Sequence, residues 1–345
     1  QSGRRILKTS IMEVLHRIDC EITNRCNAGC PLCPRTGDFP AGVSEVVHKT
    51  GYRDVELSTI ENILDSKSGQ NLNQFSYCGN YGDPFMHPKI MDIIKLISSY
   101  GITQRFDTNA GMRTPKFWSE LGTIPGVMVN FAIDGLEDTN HIYRKKTKWH
   151  KIMENAEAYI KSGGWAEWIM IIFEHNEHQV DEASRLSKKM GFKYFQTKIS
   201  TRGFNISGTK THKNISIPKN KEFQPPEMKH GLVEKPVSCK AIYQEQFFLT
   251  PDNMILPCCY VHSELAKNTY MVDTNETDFY NFLIDNKIKY DLDKFEFDEI
   301  VSSYRSNLNI LKGYWKNRLI PICNRICGSN KRNKVKVRSE ERRVG

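Results

Sequence analysis

Strand-like and helix-like segments alternate between residues 17 and 200, and this alternation restricts the fold more than any other feature of the sequence. The helix-like segments have apolar residues at helical spacing, as in the one that begins at Pro88 and ends at Gly101. The strand-like segments are short apolar runs at residues 17–23, 74–79, 102–109, 127–133, 168–174 and 193–199. Strands joined by helices pair in parallel, so the pattern predicts an α/β fold whose sheet is covered by helices.

Six β-α units of this length suit an open, partial (β/α)6 barrel, in which ligands bind at the carboxyl ends of the strands. This barrel is predicted to span residues 15–200, after an N-terminal extension at 1–14. Residues 201–235 are polar and rich in Gly, Pro, Asn and Lys, which indicates a linker or a loop over the barrel mouth. A smaller α+β domain is expected at 236–330, and a basic, disordered tail at 331–345.

The ten cysteines are concentrated near the two ends of the chain. No export signal and no apolar run of 18 residues is present, so we expect a cytoplasmic protein without disulfides and without a membrane span. Buried structural cysteines would be scattered, whereas two groups indicate two metal sites. The net charge of +9 indicates mainly a solvated surface, and attraction of an anionic partner is the alternative.

The first group, Cys26, Cys30 and Cys33, forms a C-x3-C-x2-C pattern in the loop after the first predicted strand. Three thiolates can hold an iron–sulfur cluster and leave one iron without a protein ligand, free to bind a substrate or cofactor. A zinc site completed by Cys20 is an alternative, although Cys20 falls inside the strand. A non-catalytic iron–sulfur electron carrier or redox sensor is another.

The segment CNAGCPLC, which follows the strand RIDCEIT, resembles the signature of the radical S-adenosylmethionine (SAM) enzymes. Three later segments resemble other motifs of that family: YCGNYGDP its Gly-Gly-Glu-Pro segment, FDTNA its Thr-Asn-Gly segment, and NFAIDGLEDTNHIYR its Ser-x-Asp-Gly strand end with an arginine further on. The resemblance covers about residues 15 to 200. Asp83 replaces the usual Glu, Ala110 a common Gly and Ala132 a common Ser.

This resemblance implies a [4Fe–4S] cluster on the three cysteines, with SAM bound to its open iron. Gly82 and Asp83 would face the amino group of SAM, Asn109 and Asp134 its ribose or methionyl part, and Leu32 its adenine. Reductive cleavage of SAM would then give a 5′-deoxyadenosyl radical that abstracts a substrate hydrogen. A flavodoxin or ferredoxin would supply the electron.

The second group consists of Cys239, Cys258, Cys323 and Cys327, and Cys259 is an alternative to Cys258. An apparent hairpin at residues 244–259 would bring the first two together, while the last two, at i and i+4, suit one helical face. The segment FFLTPDNMILPCC resembles the auxiliary-cluster domain called SPASM or, in its shorter form, Twitch. The resemblance implies a second [4Fe–4S] cluster, closed by four cysteines, for electron transfer or structure; zinc is the alternative.

Cys78 lies at the end of the second predicted strand. Facing the barrel interior, it could return a hydrogen atom to a substrate radical, as in some radical SAM epimerases; a buried structural cysteine is the other interpretation. Arg35, directly after the cysteine loop, is expected either to pair with an anion or to be a surface charge. The net reaction stays open among oxidation (dehydrogenation), epimerisation and cross-linking.

The substrate is expected to be a small molecule or a peptide. About 15 residues precede the first predicted strand, which leaves no appended leader-binding domain there and favours a sugar, an aminocyclitol or a peptide delivered without such a domain. Membrane partners are not expected and nucleic acid is disfavoured. A zinc protein that binds nucleic acid through its basic tail would instead show strongly salt-dependent binding.

Overall fold

The structure is a computed structural model that describes residues 15–33, 35–36, 51–77, 80–200, 215–224, 246–262 and 278–316. Within these ranges one sheet of eight strands forms the centre of the fold. The strands are β1 Arg17–Cys20, β2 Gln74–Tyr77, β3 Thr103–Thr108, β4 Val127–Ala132, β5 Trp165–Ile172, β6 Tyr194–Ile199, β7 Gln246–Leu249 and β8 Ile255–Leu256. Their order is β6-β5-β4-β3-β2-β1-β7-β8, and all neighbours are parallel except β7 and β8.

The predicted α/β fold with a parallel sheet is confirmed, and the six predicted strands differ from the observed ones only at their ends. The first strand ends at Cys20 rather than residue 23, because the chain then leaves β1 and Thr23 forms an antiparallel bridge with Asp54. The fifth begins at Trp165 rather than residue 168. There Gly163, with φ of 96°, ends the preceding turn and allows the extended chain to begin at once.

The helices lie between the strands of the barrel and after the last strand. They are α1 Leu57–Asp65, α2 Ile90–Ser99, α3 Pro115–Gly122, α4 Asn140–Tyr143, α5 Trp149–Lys161, α6 Val180–Met190, α7 Asp278–Asp285, α8 Phe297–Ser306 and α9 Leu308–Lys316. The hydroxyl of Thr114 caps α3 by accepting from the Phe117 amide, and Gly191, with φ of 93°, ends α6 in the left-handed conformation. No helix in the described ranges is long and apolar enough to cross a membrane.

The two faces of the sheet differ in chemistry because successive side chains along a strand point to opposite sides. One face packs against the helices and is apolar; its fully buried members include Ile18, Phe75, Phe106, Phe131 and Trp168. The opposite face is polar; its members include Asp19, Ser76, Arg105, Asn130 and Glu167. The strand ends carry the segments that form the candidate site.

The predicted hairpin near residue 250 is present as the antiparallel pair β7–β8. Strand β7 also pairs in parallel with β1, in a register that places Gln246 beside Arg17 and Leu249 beside Cys20. The hairpin therefore continues the barrel sheet past β1. The predicted domain boundaries stay predictions, since much of 201–245 and everything after 316 lie outside the described residues.

Candidate active site at the carboxyl ends of the strands

The three cysteines of the first group lie in the loop that follows β1. Cys30 is buried, and Cys26 and Cys33 are partly buried; none of them forms a disulfide. The loop turns tightly, because the Cys33 amide donates to the Cys30 carbonyl oxygen at 3.0 Å. All three pack in one small apolar cluster, separate from the main core, with Ala28, Leu32, Tyr143, Phe173 and Ile215. The structure thus brings together the three predicted ligands and Leu32.

Hydrogen-bond donors point at two of these sulfurs. Sγ of Cys26 accepts from the Ala28 amide at 3.4 Å and from Asn109 Nδ2 at 3.9 Å, and Sγ of Cys30 lies 3.6 Å from Arg144 Nη1. Without a metal, burial raises the pKa of Cys26 to about 12 and that of Cys30 to about 11. Metal binding displaces such protons, and donors on the sulfurs then stabilise the thiolates. The three residues fit an iron–sulfur cluster.

Cys20 does not take part in this group. It is fully buried in the main core on the helix-covered face, and burial raises the pKa of its thiol well above the ordinary value. The alternative of a zinc site completed by Cys20 is therefore not supported. Across the described ranges, no three His, Cys, Asp or Glu side chains are grouped to hold a single ion, whereas each thiolate of a four-iron cluster binds a different iron.

Asp83 joins the ends of β2 and β3. Its carboxylate accepts from Thr108 Oγ1 at 2.9 Å, from the Asn109 amide at 2.9 Å and from Asn109 Nδ2 at 2.7 Å. Burial nevertheless raises its pKa to about 6, although these hydrogen bonds act in the opposite direction. Asn109 in turn connects this pair to Asn27, at 3.0 Å, and to Cys26. The expected contacts of both residues with SAM stay predictions.

Gly82 packs directly against the start of the cysteine loop. A Cβ atom at this position would lie 1.8 Å from the carbonyl oxygen of Thr23. The next amide, that of Asp83, donates to the Arg25 carbonyl oxygen at 2.7 Å. Only glycine permits this approach of two backbones, so Gly82 fixes the position of the segment after β2 relative to the loop.

Asp134, at the end of β4, is fully buried and forms an ion pair with Arg144, whose Nε lies 2.6 Å from Oδ2. Its other oxygen accepts from the Ile171 amide at 2.6 Å. Burial raises the pKa of Asp134. Burial alone would lower the pKa of Arg144, but attraction by Asp134 and Cys30 outweighs it and raises that pKa. The sequence indicates Arg144 only as the arginine at the end of a resembling segment, whereas the structure places it between Asp134 and Cys30.

Arg35 differs from one of the two sequence-based expectations, that of a surface charge. It is buried, and its Nη1 donates to the backbone carbonyl oxygens of Asn24 and Tyr81. Its pairing with an anion stays a prediction. Arg35 holds the cysteine loop against the segment after β2.

A second polar group, which the sequence did not indicate, lies beside the cysteine loop. The buried carboxylate of Glu21 accepts from the Gly82 amide at 2.8 Å and lies 3.1 Å from His262 Nδ1. Asn80 Nδ2 donates to the Cys259 carbonyl oxygen at 2.9 Å, and the Asn80 carbonyl oxygen is 4.0 Å from Cys33 Sγ. Nothing in the spacing of these residues predicts the contacts, because Asn80 and Cys259 are about 180 positions apart and Glu21 and His262 about 240.

The second cysteine group is described only in part. Cys258 and Cys259 are partly buried at the end of the β7–β8 hairpin. Cys239, Cys323 and Cys327 lie outside the described residues, as does Cys78. The assembly of these cysteines stays a prediction.

Comparisons with known proteins agree with this fold. Residues 20–187 match the family model of the radical SAM superfamily. A match to this family implies SAM binding and a [4Fe–4S] cluster.

Over 122 residues the chain is 26% identical to the tungsten-containing aldehyde ferredoxin oxidoreductase cofactor-modifying protein of Pyrococcus furiosus. That match covers 35% of this chain and about a third, 32%, of the curated relative.

Two solved structures share the fold at low sequence identity. SuiB of Streptococcus suis, bound to S-adenosylmethionine, matches with a TM-score of 0.52 and 13% identity, over 80% of this chain and 66% of that one. A histidine-tagged form of the protein anSMEcpe, with bound AdoMet, matches with a TM-score of 0.51 and 12% identity, over 83% of this chain and 79% of that one. At these identities the likeness concerns the fold alone.

Proposed function

We propose that this chain is a radical SAM enzyme that reductively cleaves SAM and abstracts a hydrogen atom from its substrate. One observation carries the proposal: three free thiols share a small apolar cluster beyond β1, and Asn109 and Arg144 direct donors at two of their sulfurs. A structural metal site would be closed by a fourth ligand, whereas Cys20, the nearest further cysteine in the sequence, points into the core.

The chain's own residues would hold and orient the bound groups. Cys26, Cys30 and Cys33 would bind three irons, while Asp83 and Asn109 keep the ends of β2 and β3 in fixed positions. When bound, the cluster and SAM would supply an electron and a 5′-deoxyadenosyl radical. The apolar side chains packed around the cysteines would keep water from the radical.

The SAM contacts are proposed from the positions of residues at the strand ends. Gly82 and Asp83 would lie against the amino group, Asn109 and Asp134 against the ribose or methionyl part, and Leu32 against the adenine. Support comes from their placement. Asn109 contacts the sulfur of one proposed cysteine ligand, and Asp134 is connected to a second one through Arg144. Leu32 packs in the same group of apolar side chains as the cysteines.

The substrate is proposed to be a peptide or a small molecule, oxidised, epimerised or cross-linked. SuiB has been solved with its precursor peptide SuiA, with a TM-score of 0.53 to this chain, and the curated relative is named as a cofactor-modifying protein. Cys78 would act as hydrogen donor in an epimerisation. A flavodoxin or ferredoxin would be the reductant.

An auxiliary [4Fe–4S] cluster on Cys239, Cys258, Cys323 and Cys327 is part of this proposal, with Cys259 as the alternative to Cys258. The contact of Asn80 with both Cys33 and the Cys259 backbone supports it, because one residue then separates the two cysteine groups. Such a cluster would relay electrons or brace the fold.

Anaerobic reconstitution tests the proposal. Two four-iron clusters predict about eight irons per chain, and dithionite reduction with SAM should then yield 5′-deoxyadenosine. About four irons with deoxyadenosine would remove only the auxiliary cluster. Iron without deoxyadenosine would instead support the non-catalytic electron carrier, and zinc without iron would overturn the whole proposal.

A further inference from the structure

The polar face of the sheet carries side chains that the proposed SAM site does not use. Asp19 lies opposite Ser76 in the β1–β2 register, and Gln246 of β7 donates from Nε2 to Asp19 Oδ2 at 3.3 Å. The neighbours of Asp19 and Ser76 along their strands, such as Ile18 and Phe75, are in the helix-covered core. Ser76, Asp19 and Gln246 therefore lie together on the opposite face.

Two buried atoms of this group have no hydrogen-bond partner among the residues that the structure describes. They are Oγ of Ser76 and Oε1 of Gln246, on residues that expose 6% and 4% of their surface. A carboxylate only accepts hydrogen bonds, so the amide nitrogen of Gln246 must face Asp19 and its carbonyl oxygen is the open atom. Folded proteins rarely leave buried polar atoms unpaired, which indicates that a bound group completes these two.

The surrounding charges select the kind of group. Arg17 donates to Asp19 at 2.6 Å, and Arg105, opposite Ser76 on β3, is bound to Glu167 at 2.8 Å and to Asn130 at 3.2 Å. The cations are therefore engaged. The open amide oxygen of Gln246 only accepts hydrogen bonds, while the hydroxyl of Ser76 can accept as well as donate. A hydroxyl or ammonium group can donate to both, whereas an anion would be repelled by Asp19.

We propose that Ser76 and Gln246 form a substrate subsite for a hydrogen-bond-donating group, an ammonium or hydroxyl. This inference rests on the proposed function, since it assigns part of the substrate of that enzyme. Asp19 and Ser76 each precede the last residue of their strand, and Gln246, the first residue of β7, reaches Asp19 from the amino end of the sheet. The subsite therefore extends along the polar face, below the strand ends that carry the cysteine loop. A substrate anchored there is held next to the position where the radical would form.

Saturation-transfer NMR of the reconstituted full chain with SAM tests this directly. The ammonium probe is Nα-acetyl-lysine methylamide, and its match without the ammonium is Nα-acetyl-norleucine methylamide. The hydroxyl probe is methyl glucoside, and its match without hydroxyl groups is the fully O-methylated glucoside. We expect binding of at least one donor probe, with neither of the matched probes binding. Methyl glucoside alone would indicate a small molecule, and the lysine probe alone a peptide side chain.

Gln246→Leu and Ser76→Ala should each weaken donor-probe binding by about tenfold, the effect of losing one hydrogen bond. Gln196→Leu is the matched control, because Gln196 lies on the same face but at the far edge strand, bound to Glu167. The subsite would be overturned if both probe classes bound equally or if no probe bound. It would also be overturned if the Gln246 and Gln196 variants had equal effects.

Folding and function are controlled in the same samples. Ser76→Ala removes an atom without a protein partner, so it should leave the melting temperature of the ligand-free protein unchanged; a clear decrease would contradict the unpaired state. Deoxyadenosine formation without donor binding would refute the subsite and leave the proposed function standing. Donor binding without deoxyadenosine formation would refute the proposed function alone.

Discussion

Arg144 and Asp134 form a buried ion pair, with Nε of the arginine 2.6 Å from Oδ2 of the aspartate. The two side chains expose 14% and 0% of their surface. Because the same guanidinium lies 3.6 Å from Cys30 Sγ, the pair connects the end of β4 to the cysteine loop. Arg144 therefore both compensates the charge of the buried Asp134 carboxylate and contacts the proposed cluster ligand Cys30.

Arg144→Met should destabilise the metal-free protein strongly. Removing one partner of a buried pair leaves an uncompensated charge, at a cost of about 3–5 kcal/mol. Urea unfolding under anaerobic conditions measures this change. Lys95→Met is the matched control, because Lys95 pairs with Glu120 on the exposed surface and its loss should have no measurable effect. Equal stability of the Arg144 variant and wild type would contradict the buried pair.

Cys30→Ala should remove one whole cluster, as should the same change at Cys26 or Cys33. Each of these thiols lies in the small apolar cluster beyond β1, and three ligands are the minimum for the proposed site. The iron count and the sulfide count per chain should each fall by about four relative to wild type.

Cys20→Ala is the control for these variants, because Cys20 lies six residues before Cys26 but packs in the helix-covered core. The Cys20→Ala variant should be less stable, because core packing is lost, and it should keep the full iron content. Loss of iron from the Cys20 variant, once its folding is verified, would return Cys20 to the ligand set.

The sequence predicted the parallel sheet and the cysteine loop because both depend on local patterns. Alternation of apolar segments determines the strands, and the C-x3-C-x2-C spacing lies within eight residues. Local reasoning also separated Cys20 from the other three, since a strand fixes the direction of its side chains.

The missed features are contacts between distant segments. The pairing of β7 with β1 joins residues about 230 positions apart, and His262 meets Glu21 across a similar distance. Arg35 is buried against two backbone carbonyl groups, which leave no trace in the sequence pattern. Such contacts arise from tertiary packing, and neither periodicity nor motif spacing encodes them.

Gly82→Ala should disturb the site without touching a ligand. The new Cβ would overlap the Thr23 carbonyl oxygen, so one of the two backbones must shift, at a cost of about 1–3 kcal/mol or more. We expect lower unfolding free energy and weaker SAM binding, measured by urea unfolding and by equilibrium dialysis of the reconstituted protein.

Gly313→Ala is the matched control for that substitution. Gly313 lies in α9, and no atom of the described residues outside its own helix backbone lies within 4 Å of its would-be Cβ. Alanine should therefore stabilise the helix by about 0.5–1 kcal/mol. If Gly82→Ala behaved like Gly313→Ala, the close approach between the segment after β2 and the cysteine loop would be wrong.

Asp83 should make the metal-free protein lose stability as pH rises from about 4 to about 6. Burial raises its pKa in the folded state from 3.8 to about 6, so between these values the folded protein keeps a proton that the unfolded chain has lost. Raising the pH through this window therefore favours the unfolded state, by roughly 3 kcal/mol in total. Below the window both states are protonated, and above it both are ionised.

The difference in unfolding free energy between wild type and Asp83→Asn isolates this contribution, because asparagine does not titrate and the other carboxyl groups cancel. In urea titrations at pH 4, 5, 6 and 7, the unfolding free energy of wild type relative to the variant should decrease as the pH rises and become constant above pH 6. A shift in favour of wild type over the same range would mean that the Thr108 and Asn109 hydrogen bonds outweigh burial. Asp83 would then be ionised throughout, and it would offer SAM a fixed negative charge.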